Sequence, residues 1–282
     1  MNLEQESLAG ISNVSEEQCA FYSENGFLVL PIPSERLAQD LIGWTNEVKD
    51  FPHKSNAWLH YEEEDSNGHR TLTTTENFAD NHEGFGKLFR GREMLELLRK
   101  LLGEEMILFK EKINYKAPQA GGFKAHTDAP AYITVENINL VVAIMISVDP
   151  QTTENGCLEV VAGSHKIDIP VGEDQCLPES WCNDQEWIPL HLESGQFVIF
   201  DSHLAHRSAA NNSKSGRAAI FATYNGINGA GDKRDAYYSD RRKLWPATAD
   251  RDPNEEYAVG ARIFGFATPM LSVDDNYKNM GL

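Results

Sequence analysis

Between residues 106 and 225 the chain is written in short runs rich in β-branched and aromatic residues: "MILFKEKINYK", "AYITV", "INLVVAIMISVD", "GCLEVVAG", "WIPLHLE", "GQFVIFD" and "RAAIFATYN". Gly, Pro, Asn and Asp punctuate them. Apolar runs of this length between turn formers predict strands. Several short strands at such spacing predict an antiparallel sandwich or barrel, of which the double-sheet jelly roll is one form. The longest apolar run, "LVVAIMISV" at 140–148, is about half of a membrane span and suits a buried strand.

The first third reads as mostly helical. "SEEQCAFYSENGFLVL" opens with a Ser-x-x-Gln capping box at Ser15–Gln18 and passes through a glycine turn into a short strand. Residues 34–51 and 92–103 carry apolar side chains at helical spacing, the second segment closed by Gly103. No repeat, low-complexity tract or Gly/Ser linker divides the chain. The expectation is one domain over 1–282: helical support over about 1–105, a β-rich core over 106–225, and a C-terminal segment over 226–282. Within that segment "GDKRDAYYSDRRKLWPATADRDPNEEY" reads equally well as a lid or as a surface excursion.

Forty-three acidic residues against 25 Lys and Arg give a formal charge of −18. Such a surface repels nucleic-acid backbones and anionic membranes, so the expected partner is a small molecule. "YEEEDSNGH" at 61–69 lacks regular oxygen-ligand spacing and reads as a solvated loop rather than a calcium site. The four cysteines show no CxxC pair, and the opening residues have neither a basic start nor the apolar stretch of a secretory signal. A reducing, cytoplasmic setting is expected.

In "FKAHTDAP" (123–130), His126 and Asp128 stand two apart, so an extended backbone points both to one face. A mononuclear iron site takes two imidazoles and one carboxylate on one face and leaves other positions open. His53, His60, His69 and His82 lie in the polar N-terminal region and read as surface residues. His191 alternates with Leu190 and Leu192. His203 and His206 follow a strand that ends near Phe200, and Arg217 opens the apolar run "RAAIFATY". There its planar fork is suited to grip a carboxylate.

Three motifs resemble the phytanoyl-CoA dioxygenase-like branch of the iron(II)/2-oxoglutarate oxygenases. They are "INYKAPQAGGFKAHTD", "ENGCLEVVAGSHK" and "HRSAANNSKSGRAA", and "FYSENGFLVL" is similar to the family's N-terminal strand. The resemblance implies a double-stranded β-helix, with His126, Asp128 and His206 holding Fe(II). It implies that Arg217 and Ser208 bind the distal carboxylate of 2-oxoglutarate. His206 is preferred to His203 because only it has a serine two residues on and an arginine eleven on. His165 belongs to the family turn and stays outside the site. The implied reaction consumes O2 and 2-oxoglutarate, yields succinate and CO2, and oxidises a substrate C–H bond. The retained carboxylate Asp128 argues against halogenation.

The strand "FKEKINYK" (109–116) should line the cavity. Lys110, Lys112, Asn114 and Lys116 share one face, and Phe109, Glu111, Ile113 and Tyr115 share the other. Lys112 and Asn114 facing inward would suit an anionic substrate, whereas Glu111 facing inward would suit an amine. The string from Lys110 to Tyr132 is most similar to the subgroup acting on small aminophosphonates and fungal natural products.

Overall fold

The structure is a computed structural model that describes residues 10–64, 70–132 and 140–268. Its strands are β1 (Phe27–Leu30), β2 (Leu59–Glu64), β3 (Arg70–Glu76), β4 (Met106–Lys116), β5 (Phe123–His126), β6 (Val141–Ser147), β7 (Leu158–Val160), β8 (Ile188–Pro189), β9 (Phe197–Asp201), β10 (His206–Ser208) and β11 (Arg217–Gly226). Helices α1 (Glu16–Asn25), α2 (Glu35–Lys49), α3 (Glu83–Arg90) and α4 (Arg92–Leu102) precede the core. The short α5 (Glu179–Asn183) interrupts it, and α6 (Ile227–Ala230), α7 (Arg234–Leu244) and α8 (Ala258–Phe264) follow.

The strands form a seven-stranded sheet, β1-β9-β6-β11-β4-β3-β2, and a four-stranded sheet, β5-β10-β7-β8. All pairings are antiparallel. Together they make the expected jelly roll, mainly β with flanking helices. Alternation along the strands shows how the layers separate. On β6, Val142, Ile144 and Ile146 pack outward with Leu41, Phe89 and Leu97 of the helices, while Ala143 and Met145 pack inward with Leu158, Val160 and Leu190. Phe197 and Ile199 face the helices on β9, and Val198 and Phe200 face the opposite sheet. Both faces are buried, so a slip of one residue would exchange every side chain and is strongly disfavoured. Among the described residues no helix is long and apolar enough to cross a membrane.

The Ser15–Gln18 box caps α1 as expected, each side chain bonding the other residue's backbone N–H. Gly26 ends that helix at φ 78°. A Cβ there would also lie 2.4 Å from His165 Nδ1, so the glycine lets the "GSHK" turn seat against α1. His165 thus sits apart from the cavity, as expected.

Three expectations need correction. The first third is not simply helical: β2 and β3 form a hairpin on the edge of the large sheet, pairing through β3 with β4. "YEEEDSNGH" is accordingly not one solvated loop. Tyr61 is buried, and its hydroxyl donates to the Trp245 carbonyl at 2.9 Å, while residues 65–69 lie outside the described residues. Tertiary pairing and burial of Tyr61 outweigh the run of glutamates. "AYITV" does not begin as a strand, because Ala129–Tyr132 form a 3-10 turn after the His-x-Asp pair, and 133–135 lie outside the described residues.

Two histidines read as surface residues are also inside. His82 is buried and caps α3, accepting from Phe85 N at 3.2 Å. His60 is half-buried between Thr75 and the Phe51 carbonyl. His53 is at the surface as expected, and His69 lies outside the described residues. Beyond Asn225 the chain folds onto the sheets and buries Tyr237, Tyr238, Arg241 and Trp245.

Candidate active site

The central geometry comes from one strand pairing. β5 and β10 place His126 and His206 as direct Cα partners, with ring centroids 4.1 Å apart. Each ring is oriented from behind: His126 Nδ1–H donates to the Lys124 carbonyl at 2.7 Å, and His206 Nδ1–H donates to the Leu204 carbonyl at 2.9 Å. A carbonyl can only accept, so Nδ1 carries the proton in each ring, and in the neutral tautomer Nε2 is the nitrogen with the lone pair. Both point toward Asp128, whose Oδ1 lies 3.9 Å from His126 Nε2 and 4.0 Å from His206 Nε2. One ligand atom from each of the three residues lies within 4.8 Å of the others.

Electrostatics keep His126 and Asp128 in the forms a metal takes. Burial, with His206 beside it, pushes the His126 pKa down to about 3, so the imidazole is neutral. For Asp128, burial opposes ionisation. His206, His126, Lys110 and Lys112 together outweigh it and hold the carboxyl below its ordinary value. Two imidazoles and a carboxylate on one side of a cavity fit Fe(II). His203 is elsewhere, on the exposed turn after β9, where its ring bonds Asp201 at 3.2 Å.

A cavity of about 540 Å³ opens from this cluster between the sheets. The inner faces of β4 and β11 line it through Lys110, Lys112, Asn114 and Lys116, and through Arg217, Phe221 and Thr223. These are cross-strand neighbours: Lys116 pairs with Arg217, Lys112 with Phe221, and Lys110 with Thr223. Lys112 Nζ lies 5.3 Å from the Phe221 ring centroid, and Lys110 Nζ lies 5.2 Å from that of Tyr132. Among the described residues neither ammonium has a carboxylate within ion-pair distance. Burial lowers both lysine pKa values, and Lys110 lowers that of Lys112 further. Asn114 accepts from Thr74 Oγ1 at 3.3 Å.

Glu111 points the other way. Its side chain is fully buried on the outer face, paired with Arg234 and accepting from Ala79 N at 2.8 Å. Deeper along the inner face, Arg217 is buried and donates to the Asn155 carbonyl at 3.0 Å and to the Gly156 carbonyl. Burial lowers its pKa to about 10, which leaves it charged at neutral pH. Ser208 Oγ accepts from Lys116 Nζ at 2.8 Å and faces the same cavity.

The residues singled out from sequence therefore converge on one cavity, with Glu111 and His203 excluded. Sequence reasoning passed over Lys116 as a site residue, although period-two alternation already put it on the face of Lys112. From the segment read as a lid or a surface excursion, Arg241 borders a side chamber shared with His126 and Asp128, together with Phe264 and Phe266, which sequence reasoning passed over. No spacing signal in the sequence connects those segments.

The phytanoyl-CoA dioxygenase (PhyH) family profile matches residues 22–219, which span both sheets and the His-Asp-His cluster. The chain belongs to the phytanoyl-CoA dioxygenase family. It is an iron(II)- and 2-oxoglutarate-dependent oxygenase. A 2-aminoethylphosphonate dioxygenase from the uncultured bacterium HF130_AEPn_1 is 34% identical over 92% of this chain and 100% of its own length. Dioxygenase lolE1 of Epichloe uncinata is 37% identical over 81% of this chain and 89% of its own. Among solved structures, EctD from S. alaskensis in its apoform superposes with a TM-score of 0.69 at 20% identity. That match covers 78% of this chain and 80% of EctD, and it supports the shared fold of this PhyH dioxygenase.

Proposed function

We propose that this oxygenase oxidises a C–H bond of a small molecule carrying a compact oxyanion, a short-chain phosphonate or aminophosphonate. One observation carries the substrate class: Lys110 and Lys112 line the cavity beside Asp128 with no carboxylate partner among the described residues. Two partly buried lysines with no carboxylate in direct contact favour an anionic ligand, which would stabilise their charged forms. The named activity of the 2-aminoethylphosphonate dioxygenase relative supports the same class, as does a methylphosphonate hydroxylase from Gimesia maris, 32% identical over 88% of this chain and 94% of its own.

In this reading His126, Asp128 and His206 hold the iron. The iron, with 2-oxoglutarate and O2, supplies the oxidising power. Arg217 and Ser208 hold the distal carboxylate of 2-oxoglutarate, and Lys112 and Asn114 hold the anionic end of the substrate. Fixing both ends makes the choice of C–H bond a matter of position. The phenyl rings of Phe123 and Phe221 flank Lys112 Nζ and reduce its contact with water, which strengthens its pull on an anion. The chain acts as one oxygenase domain, and its free thiols suit a reducing cytoplasm.

The test is a screen of 2-oxoglutarate consumption and succinate formation with Fe(II), O2 and matched small molecules. Short phosphonates and aminophosphonates should stimulate turnover, and neutral alcohols of the same size should not. Stimulation by neutral or cationic compounds alone would overturn the anion reading.

A further inference from the structure

Glu111 faces away from the cavity, yet a different glutamate faces in. Glu76 on β3 is the direct Cα partner of Lys112 on β4, so the two side chains share the inner face of the sheet. Glu76 is 5% exposed and lines the side chamber with Lys110, Lys112, His126 and Asp128. Its Oε1 accepts from Arg241 Nη2 at 2.5 Å. The Arg241 guanidinium is itself flanked by the Tyr61 and Phe264 rings, 5.0 and 4.7 Å from their centroids. Arg241 thus fixes one carboxylate oxygen from the α7 side. The other, Oε2, is buried and accepts from no donor among the described residues. A buried carboxylate oxygen without a donor is costly, and a ligand that brings one relieves the cost.

The chamber around Glu76 states what kind of donor fits. Its volume is about 70 Å³ against 540 Å³ for the main cavity, so it takes the end of a chain rather than a whole ligand. Tyr61, Tyr237, Trp245, Phe264 and Phe266 border it and keep water from the carboxylate, which strengthens its attraction for a cation. Lys110 and Lys112 border it too, and their charges repel a simple amine. A ligand whose own oxyanion neutralises those lysines removes the repulsion. The pairing of Glu76 with Lys112 across one strand spacing therefore suits a zwitterion, with its anion on the lysine side and its ammonium on the glutamate side.

We propose that Glu76 Oε2 accepts a hydrogen bond from the primary ammonium of the substrate, so that this residue selects aminophosphonates over alkylphosphonates of the same length. This rests on the reading above that places the oxyanion at Lys112. Glu76 is then the inward carboxylate that an amine-bearing substrate requires, in place of Glu111 behind the sheet.

Anaerobic calorimetric titration of the Fe(II)–2-oxoglutarate protein compares 2-aminoethylphosphonate with propylphosphonate, in which a methyl group replaces the ammonium. The aminophosphonate should bind about ten- to a hundredfold more tightly, as expected of a buried hydrogen bond between charged groups. Glu76→Gln should remove most of that preference. Where this variant does not fold, Glu76→Leu combined with Arg241→Met replaces the buried pair as a whole, leaves no unpaired charge and should lose the preference equally. Succinate formation should show the same change in the ratio of kcat/KM for the two phosphonates. Equal wild-type affinity for both would overturn the role of Glu76 and leave the anion reading intact, whereas binding of neither would overturn both. A preference for the aminophosphonate that survives these substitutions would also overturn it, because the ammonium would then be held elsewhere.

Discussion

His126 and His206 are far apart in the sequence and directly opposite one another across the β5–β10 pair, with their Nε2 atoms 3.9 and 4.0 Å from the same Asp128 oxygen. Each ring is held by a carbonyl two residues earlier in its own strand region. The cluster is therefore shaped by backbone before any metal arrives, which reduces the ordering cost of binding one.

His126→Ala or Asp128→Ala should abolish turnover and weaken Fe(II) binding, because a three-ligand site that loses one ligand no longer fixes the metal. His206→Ala should do the same. His203→Ala should retain substantial activity, since that ring bonds Asp201 on an exposed turn. Metal titration and succinate formation measure both effects, and an exchange of behaviour between the two histidines would show the assignment to be wrong.

Lys112→Ala and Asn114→Ala should raise the KM for substrate and leave the affinity for 2-oxoglutarate near the wild-type value. They would remove contacts to the substrate alone. Steady-state kinetics in each substrate separately provides the check. Unaltered KM in both variants would remove these residues from substrate binding.

Glu111→Ala should act on stability rather than on substrate recognition. Its carboxylate pairs with the buried Arg234 behind the sheet, and removing it leaves that guanidinium with the half-exposed Asp80 as its remaining ion-pair partner among the described residues. Breaking a buried pair of this kind costs about 3–5 kcal/mol. Denaturant unfolding should show that loss, while the folded fraction keeps a normal KM. A raised KM with unchanged stability would return Glu111 to the cavity.

Arg217→Ala should raise the Kd for 2-oxoglutarate by tens- to thousands-fold with Fe(II) affinity little changed, since truncating a buried charged contact costs on the order of 2–5 kcal/mol. Arg217→Lys should recover part of the loss, because a point charge lacks the fork. Anaerobic titration, following the visible band of the iron–2-oxoglutarate chelate, reads the affinity directly. Wild-type affinity in the alanine variant would place the cosubstrate elsewhere.

Much of this protein is legible in one dimension. Short continuous apolar runs predict strands such as β6 and β9, and their two buried faces follow because strand side chains alternate regardless of partner. The same rule places Lys110, Lys112, Asn114 and Lys116 on one face, and a two-residue spacing brings His126 and Asp128 together. Which face of β4 looks into the cavity was a different matter. It depends on β11 and β3 pairing beside it and on Arg234 arriving from α7 to bind Glu111 behind it. The β2–β3 hairpin was hidden for a similar reason, since its glutamate-rich strand is stabilised by an edge pairing and by the burial of Tyr61 under the C-terminal segment. Local sequence determines side-chain periodicity and short-range ligand spacing. The adjacency of Lys116 and Arg217, and of His126 and His206, was decided by strand register, because cross-strand contacts are set by the packing of the whole sheet.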